Sequence, residues 1–203
     1  MKKSPVAVFS TWATNGKDEG MERNHKAAVE NMLAFAIEEH AHFSFIDAGC
    51  GNGWVVRQVQ QLPGCTSAVG VDGAAPMIAK ANHLDPKGNY FCEDLMAWTP
   101  KEKVSLVHSM EVVYYFKAPD ALLQHIYTHW LLPEGRLIVG LDFYLENPSS
   151  HDWPESCGIH TMQLFSENQW TQFFEQAGFQ DVQSWRVGAK EGWSGTLVVT
   201  GTV

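Results

Sequence analysis

Seven consecutive residues, Asp47-Ala-Gly49-Cys-Gly51-Asn-Gly53, have the spacing of a ligand-binding turn. Spaced glycines between a strand and a helix let backbone N–H groups approach a bound molecule closely. Two cofactor classes use this geometry. A dinucleotide site follows G-x-G-x-x-G and sets a pyrophosphate on the helix N-terminus. Here the third glycine comes one residue early, at Gly53, and Trp54 stands where a small residue belongs. Asp47 lies two residues upstream of Gly49. A carboxylate at that strand tip would repel a pyrophosphate and attract a cation.

S-adenosylmethionine carries an α-ammonium and a sulfonium and no phosphate, so the charge pattern selects it. A second signal is Val69-Gly-Val-Asp72-Gly73, with Asp72 placed 23 residues after Gly49 to accept bonds from ribose hydroxyls. Nicotinamide enzymes share that acid, and it could instead only cap the helix that follows. Gly73 and Met77, just beyond it, are expected in the same cofactor-binding set. A third signal is Phe91-Cys-Glu-Asp94-Leu95, where Asp94 can accept an adenine amino group and Leu95 can offer backbone.

The elements that must hold these residues alternate between strand and helix, the pattern of a mainly parallel sheet. Residues 1–20 read as irregular, with a turn at Asn15-Gly16, and Met21 to His40 as an amphipathic helix. Strands are expected over 44–49, 67–72, 89–94, 104–110 and 136–143, with helices over 54–62, 74–84 and 119–131. Residues 144–165 lack periodicity, and a loop that long in a compact domain is usually functional or disordered. Ser166-Glu-Asn-Gln169 has the form of a capping box and opens a helix ending at Gly178. Residues 179–187 and 195–203 alternate as a closing pair of strands.

In order and spacing, the chain resembles the class I S-adenosylmethionine-dependent methyltransferases, in particular their small type 11 or UbiE-like branch. The resemblance rests on the glycine turn, Val71-Asp72, Glu93-Asp94-Leu95, Leu131-Leu-Pro-Glu-Gly-Arg-Leu137 and Phe173-Phe-Glu-Gln-Ala-Gly-Phe179, and covers residues 44–203. It implies an α/β, Rossmann-like fold: a seven-stranded, mostly parallel sheet of order 3-2-1-4-5-7-6 with helices on both faces. It also implies that Asp47 and Gly49, Cys50, Gly51, Asn52 and Gly53 hold the methionine part of the cofactor, Asp72 the ribose, and Asp94 with Leu95 the adenine. One residue departs from the pattern: Ser105 stands where many relatives begin strand four with Asp.

Ligands in open α/β sheets lie at the carboxyl ends of strands. Ser109 and Met110 are therefore expected beside the methionine part, with Glu111 and Tyr115 facing substrate; core packing is the alternative for the last two. Relatives often lid the site with an N-terminal segment, which here (residues 1–42) holds Phe9, Trp12, Glu22 and His25, and Trp12 is expected to close over the cofactor. Glu111, Tyr115 and His25 are the catalytic candidates, with His151 a further proton acceptor. Tyr144, His151 and Trp153 are the substrate candidates, and His160 a further one. His125 and His129, four apart on a helix, lack the intervening Glu of a metalloprotease motif, so no metal is expected.

The chain has 203 residues, 45% of them hydrophobic, which suits one methyltransferase domain needing no staple. Fourteen basic residues against 23 acidic ones, for a net charge of −9, make nucleic acid a poor substrate. Four cysteines without CxxC spacing read as the reduced thiols of a cytoplasmic protein, and no apolar run is long enough for a membrane span. The expectation is transfer of a methyl group to N, O or S of a small-molecule acceptor. The alternatives are a macromolecular acceptor (protein or tRNA) and a non-catalytic cofactor-binding protein.

Overall fold

Adjacent strand residues point to opposite faces of a sheet, and in this chain both faces are apolar. Phe45, Leu106, Ile138 and Val198 fall in one buried cluster; their neighbours Ile46, Val107, Leu137 and Val199 fall in the other. Strands buried on both faces need helices above and below. The computed structural model describes residues 2–38 and 41–203 and shows that arrangement.

Seven strands, β1 (Phe43–Ala48), β2 (Cys65–Asp72), β3 (Asn89–Cys92), β4 (Val104–Met110), β5 (Leu131–Leu141), β6 (Gln180–Val187) and β7 (Thr196–Thr202), form one sheet. Its order is β3-β2-β1-β4-β5-β7-β6, with β7 antiparallel to both neighbours and the other pairs parallel. The expected fold is thus observed. On one face lie α2 (Glu19–Ile37) and α3 (Trp54–Val59), through Val29, Met32, Val56 and Val59. Helices α5 (Pro119–His129) and α7 (Glu167–Ala177) cover the other, through Leu122, Ile126, Trp170 and Phe174. Helix α4 (Ala75–Leu84) follows β2, with Ile78 packed on the first face. The capping box at Ser166 is present, its hydroxyl accepting from the Gln169 N–H at 3.2 Å, and Gly178 closes α7.

Three local expectations change. Residues 5–15 are a helix, α1 (Pro5–Asn15), not an irregular segment: Ser4 accepts the Ala7 N–H, Pro5 starts the first turn and Gly16 ends the helix. Its weak amphipathic pattern hides it, because only Val8 is buried. Between 144 and 165 lie a 3₁₀ turn (Pro148–Ser150) and a short helix, α6 (Trp153–Ser156). Strand β5 begins at Leu131, and the Pro133–Gly135 turn is an excursion within it: Leu131 pairs with Val104 and Arg136 with Leu106. The expected helix end at His40 lies outside the described residues.

At the start of the central strand pair, Ser105 takes a structural place. The Ser44 N–H donates to Ser105 Oγ at 2.9 Å, and the Ser105 N–H donates to Ser44 Oγ at 3.0 Å. Residues 2–4 reach across to the segment before β6. The Lys3 N–H donates to the Gly158 carbonyl, the His160 N–H donates to the Lys3 carbonyl, and Lys2 pairs with Glu155 at 2.5 Å.

Candidate active site

The glycine turn sits at the carboxyl end of β1, bound to β2 by two backbone hydrogen bonds: the Gly49 and Cys50 N–H groups both donate to the Val71 carbonyl. Gly49 has φ of 81°, and a Cβ there would overlap the Val112 methyls. Gly51 has φ of 53°, but its Cβ position is open, with only Met77 Sδ at 4.0 Å. One glycine is thus required by packing and the other borders empty space.

Asp72 ties the turn to the next helix. Its Oδ2 accepts the Gly51 N–H at 3.0 Å and its Oδ1 the Ala74 N–H at 2.7 Å. Burial raises its pKa above the ordinary carboxylate value, and the two N–H donors offset part of that. The helix-cap alternative therefore describes one of its oxygens. Further lone pairs on both remain for a ligand.

Asp72 borders a cavity of about 460 Å³ with Gly49, Gly51, Gly73, Met77, Glu93, Asp94, Leu95 and Met110. Such a volume suits one small molecule. Helix α1 forms its far wall through Pro5, Val6 and Phe9. A small recess adjoins it, sharing Met21, Gly49, Gly51 and Met110 and adding Asp18, His25, Asp47, Cys50, Asn52 and Trp54. Asp47 is buried there beside His108, whose Nδ1 lies 2.7 Å from Asp47 Oδ1. An ionised carboxylate only accepts, so this contact is a hydrogen bond in the His108 tautomer with its proton on Nδ1. The Asn52 side-chain amide donates to Asp18 at 2.8 Å, and Lys80 reaches the other Asp18 oxygen at 2.9 Å. Neither Lys nor Arg is among the described residues that line the cavity or the recess. A diphosphate would meet like charge at Asp72, Glu93, Asp94 and Asp47; a cationic ligand with ribose hydroxyls fits.

A second cavity, of about 680 Å³, lies on the other side of Phe9, Met21, Glu111 and Tyr115, which line both. Trp12, His25, Asp142, Trp153 and Trp193 also line it, with Lys17, Asn24, Lys190 and Thr196. Trp12 therefore borders this space and not the first cavity, where Phe9 stands. Glu111 has φ of 61° and is 7% exposed. Its Oε2 accepts the Tyr114 hydroxyl at 2.7 Å, and its Oε1 accepts the Asp142 N–H. Burial, then the nearby Asp142 charge, push its pKa well above the carboxylate range. Burial likewise raises Tyr115, so its hydroxyl stays protonated. His25 Nδ1 is buried with no hydrogen-bond partner and lies 3.5 Å from Asp142 Oδ2. Burial lowers the His25 pKa from 6.5, against the pull of Asp142. Asp142 Oδ1 accepts the Thr196 hydroxyl at 2.6 Å, and burial raises its pKa.

Several expected site residues lie elsewhere. Ser109 is fully buried, and its hydroxyl donates to the Ala48 carbonyl at 2.8 Å, so it braces β1 against β4. Tyr144 is buried outside both cavities, its hydroxyl donating to the Gly195 carbonyl at 3.0 Å. His151 turns away to the Leu145 carbonyl at 3.1 Å, and His160 contacts Thr161. Glu22 is exposed and lines neither cavity. Gly53 opens α3 behind the turn, next to the Tyr90 ring. His125 Nε2 meets the Trp98 carbonyl at 2.8 Å. Asp18, His108 and Asp142 join the site without appearing among the residues expected from the sequence. An acid at the carboxyl end of the fifth strand was the available signal for Asp142.

A family model described as a methyltransferase domain matches residues 9–184. No protein of curated function matches the chain by sequence. Among solved structures, the chain is similar to a Haloferax volcanii protein designated a methyltransferase and solved in complex with the Trm112 methyltransferase activator. The two share 24% identity at a TM-score of 0.84, with 96% of each chain covered. It is also similar to a Thermotoga maritima S-adenosylmethionine-dependent methyltransferase, described as a possible histamine N-methyltransferase, at 16% identity and a TM-score of 0.71 over 97% of this chain and 98% of that one. The Bradyrhizobium japonicum N-methyltransferase NodS, solved with S-adenosyl-L-homocysteine, matches at 14% identity and a TM-score of 0.66 over 85% and 84%. With a family model spanning most of its length and the class I strand order, this chain belongs to the S-adenosylmethionine-dependent methyltransferases.

Proposed function

We propose that the first cavity and its recess hold S-adenosylmethionine and that the second cavity holds a small-molecule methyl acceptor. The observation that carries this reading is the shared wall of Phe9, Met21, Glu111 and Tyr115 between two cavities of small-molecule size. In the first cavity Asp72 would accept the ribose hydroxyls, with Gly73 and Met77 beside them. Asp94 and Leu95 would meet the adenine. The buried acids Asp47 and Asp18, beside Cys50 and Asn52 in the recess, would attract the α-ammonium. Bound there, the cofactor supplies a methyl group on a sulfonium that an acceptor nucleophile displaces in line.

The chain itself contributes position and proton control. Holding two reactants together across one wall removes most of the entropic cost of their meeting. Of the three catalytic candidates, Glu111 and Tyr115 are tied into a buried network with Tyr114 and are read as positioning residues. His25 lines both the recess and the second cavity, keeps a buried, neutral Nδ1 3.5 Å from Asp142 Oδ2, and is the proton acceptor of this proposal, reached through Asp142. Trp153 is the remaining substrate contact. Four unbridged cysteines, and the lack of any described helix long and apolar enough to cross a membrane, support a cytoplasmic setting. Calorimetry with S-adenosylhomocysteine and NADH tests the reading: binding of NADH alone would overturn it.

A second reading, docking of a protein activator with a macromolecular acceptor, has one observation in its favour. The outer strand β3 leaves Phe91 exposed, with Leu84 and Met96 exposed just before and after it, and the Haloferax relative is solved with Trm112. An added activator of that class would then raise turnover of the native protein and not of Phe91→Glu; no response in either removes this reading.

A further inference from the structure

The second cavity pairs two buried carboxyl groups with no cation of matching burial. Glu111 and Asp142 are 7% and 5% exposed, burial raises the cost of charging both, and the Asp142 charge raises it further for Glu111. His25 is the nearest basic group, and burial keeps it neutral. Lys17 and Lys190 border the same cavity, but both are exposed at its mouth, where solvent screens them. Lys17 also rests on the Trp12 ring at 4.0 Å. Glu111 spends both oxygens on Tyr114 and the Asp142 N–H, whereas Asp142 Oδ2 has only the 3.5 Å approach of His25, with no hydrogen bond formed. One acidic oxygen therefore faces the cavity unsatisfied.

Around it stand aromatic faces. Trp153 and Trp193 stack at 6.4 Å with an interplanar angle of 26°, and Phe9 meets Tyr115 edge-on at 5.2 Å. Ring faces attract cations, most strongly once water is excluded. A buried, unpaired carboxylate is costly, and an entering cation removes that cost. A neutral hydroxyl acceptor would leave the charge of Asp142 uncompensated.

We infer that the acceptor is an amine, bound as its ammonium between Asp142 Oδ2 and the Trp153–Trp193 pair. This rests on the two-cavity reading above and names the acceptor class within it. Transfer of one N–H proton to Asp142 Oδ2, and from there to His25 Nδ1 3.5 Å away, leaves the nitrogen lone pair free for attack, and the proton then passes from the imidazolium to water. An alcohol offers neither the charge nor so ready a proton.

Binding to the full chain separates the classes. With S-adenosylhomocysteine present, calorimetry at pH 7 would compare primary amines, benzylamine among them, each with the alcohol of the same skeleton. Amines should bind at least about ten-fold tighter than their alcohols, roughly 1.4 kcal/mol. Asp142→Asn should remove that preference while S-adenosylhomocysteine affinity stays unchanged, and Trp153→Ala should weaken amines more than alcohols. Alcohols binding as well as amines, or no amine binding while S-adenosylhomocysteine binds, would overturn the amine assignment alone. Failure of S-adenosylhomocysteine to bind would instead sink the two-cavity reading, and the amine assignment with it.

Discussion

Gly49 and Gly51 sit two residues apart in one turn, yet alanine at each should fail for a different reason. Both have positive φ, which costs a residue bearing Cβ about 1–2 kcal/mol. At Gly49 the new Cβ also collides with the Val112 side chain, and overpacking of that kind adds about 1–3 kcal/mol. Gly49→Ala should therefore lose roughly 2–5 kcal/mol of stability. At about 2–4 °C per kcal/mol for a chain this size, melting falls by roughly 4–20 °C. At Gly51 the Cβ meets nothing closer than Met77 Sδ at 4.0 Å, so only the backbone term applies, about 1–2 kcal/mol or roughly 2–8 °C. That Cβ would enter the first cavity where the cofactor is proposed to lie. Differential scanning fluorimetry, with and without S-adenosylhomocysteine, reads both effects. Gly51→Ala should lose most of the ligand-induced rise in melting temperature while remaining the more stable of the two variants. A Gly51→Ala protein that keeps the full ligand shift would refute the placement of the cofactor, and a Gly49→Ala protein that melts like the native one would refute the packing argument.

Asp72→Ala removes the acceptor for two backbone N–H groups and the proposed ribose contact; S-adenosylhomocysteine affinity should fall about 5- to 150-fold, from 1–3 kcal/mol. An unchanged dissociation constant in a folded variant would reduce Asp72 to a brace for the turn. Deleting residues 1–16 removes the Pro5, Val6 and Phe9 wall but keeps Asp18, so affinity should drop by about ten-fold or more, since even one apolar side chain left unburied costs about 1.5–3 kcal/mol. Full-rate turnover by the truncated protein would rule out that wall as part of the site. Because burial draws His25 below 6.5, its neutral form persists through neutral pH; kcat/KM should hold there and fall only as pH drops through that lowered value. His25→Asn should erase this acidic limb, and an unaltered pH profile in that variant would leave His25 without a proton-transfer role.

How much was legible in the sequence follows from how local each signal is. The glycine turn, Asp72 and the acids at 93 and 94 could be found because a strand, a tight turn and a helix start follow one another within a few residues. Strand signals alternating with helix signals then limited the sheet to a mainly parallel core. Helix α1 escaped because it buries one residue, Val8, and so carries almost no periodic pattern. Asp18, His108 and Asp142 escaped for another reason. Their partners are Asn52, Asp47 and His25, at sequence separations of 34, 61 and 117 residues. No local pattern encodes a pair that only sheet order and helix docking bring together. Trp12 and Phe9 make the same point on a smaller scale: both belong to α1, and only its docking decides that Phe9 borders both cavities while Trp12 borders the second alone. Chain-local stereochemistry determined the alternation of strands and helices and the form of the glycine turn. Tertiary packing decided which side chains are buried without partners, and those are the groups on which the chemistry proposed for the second cavity rests.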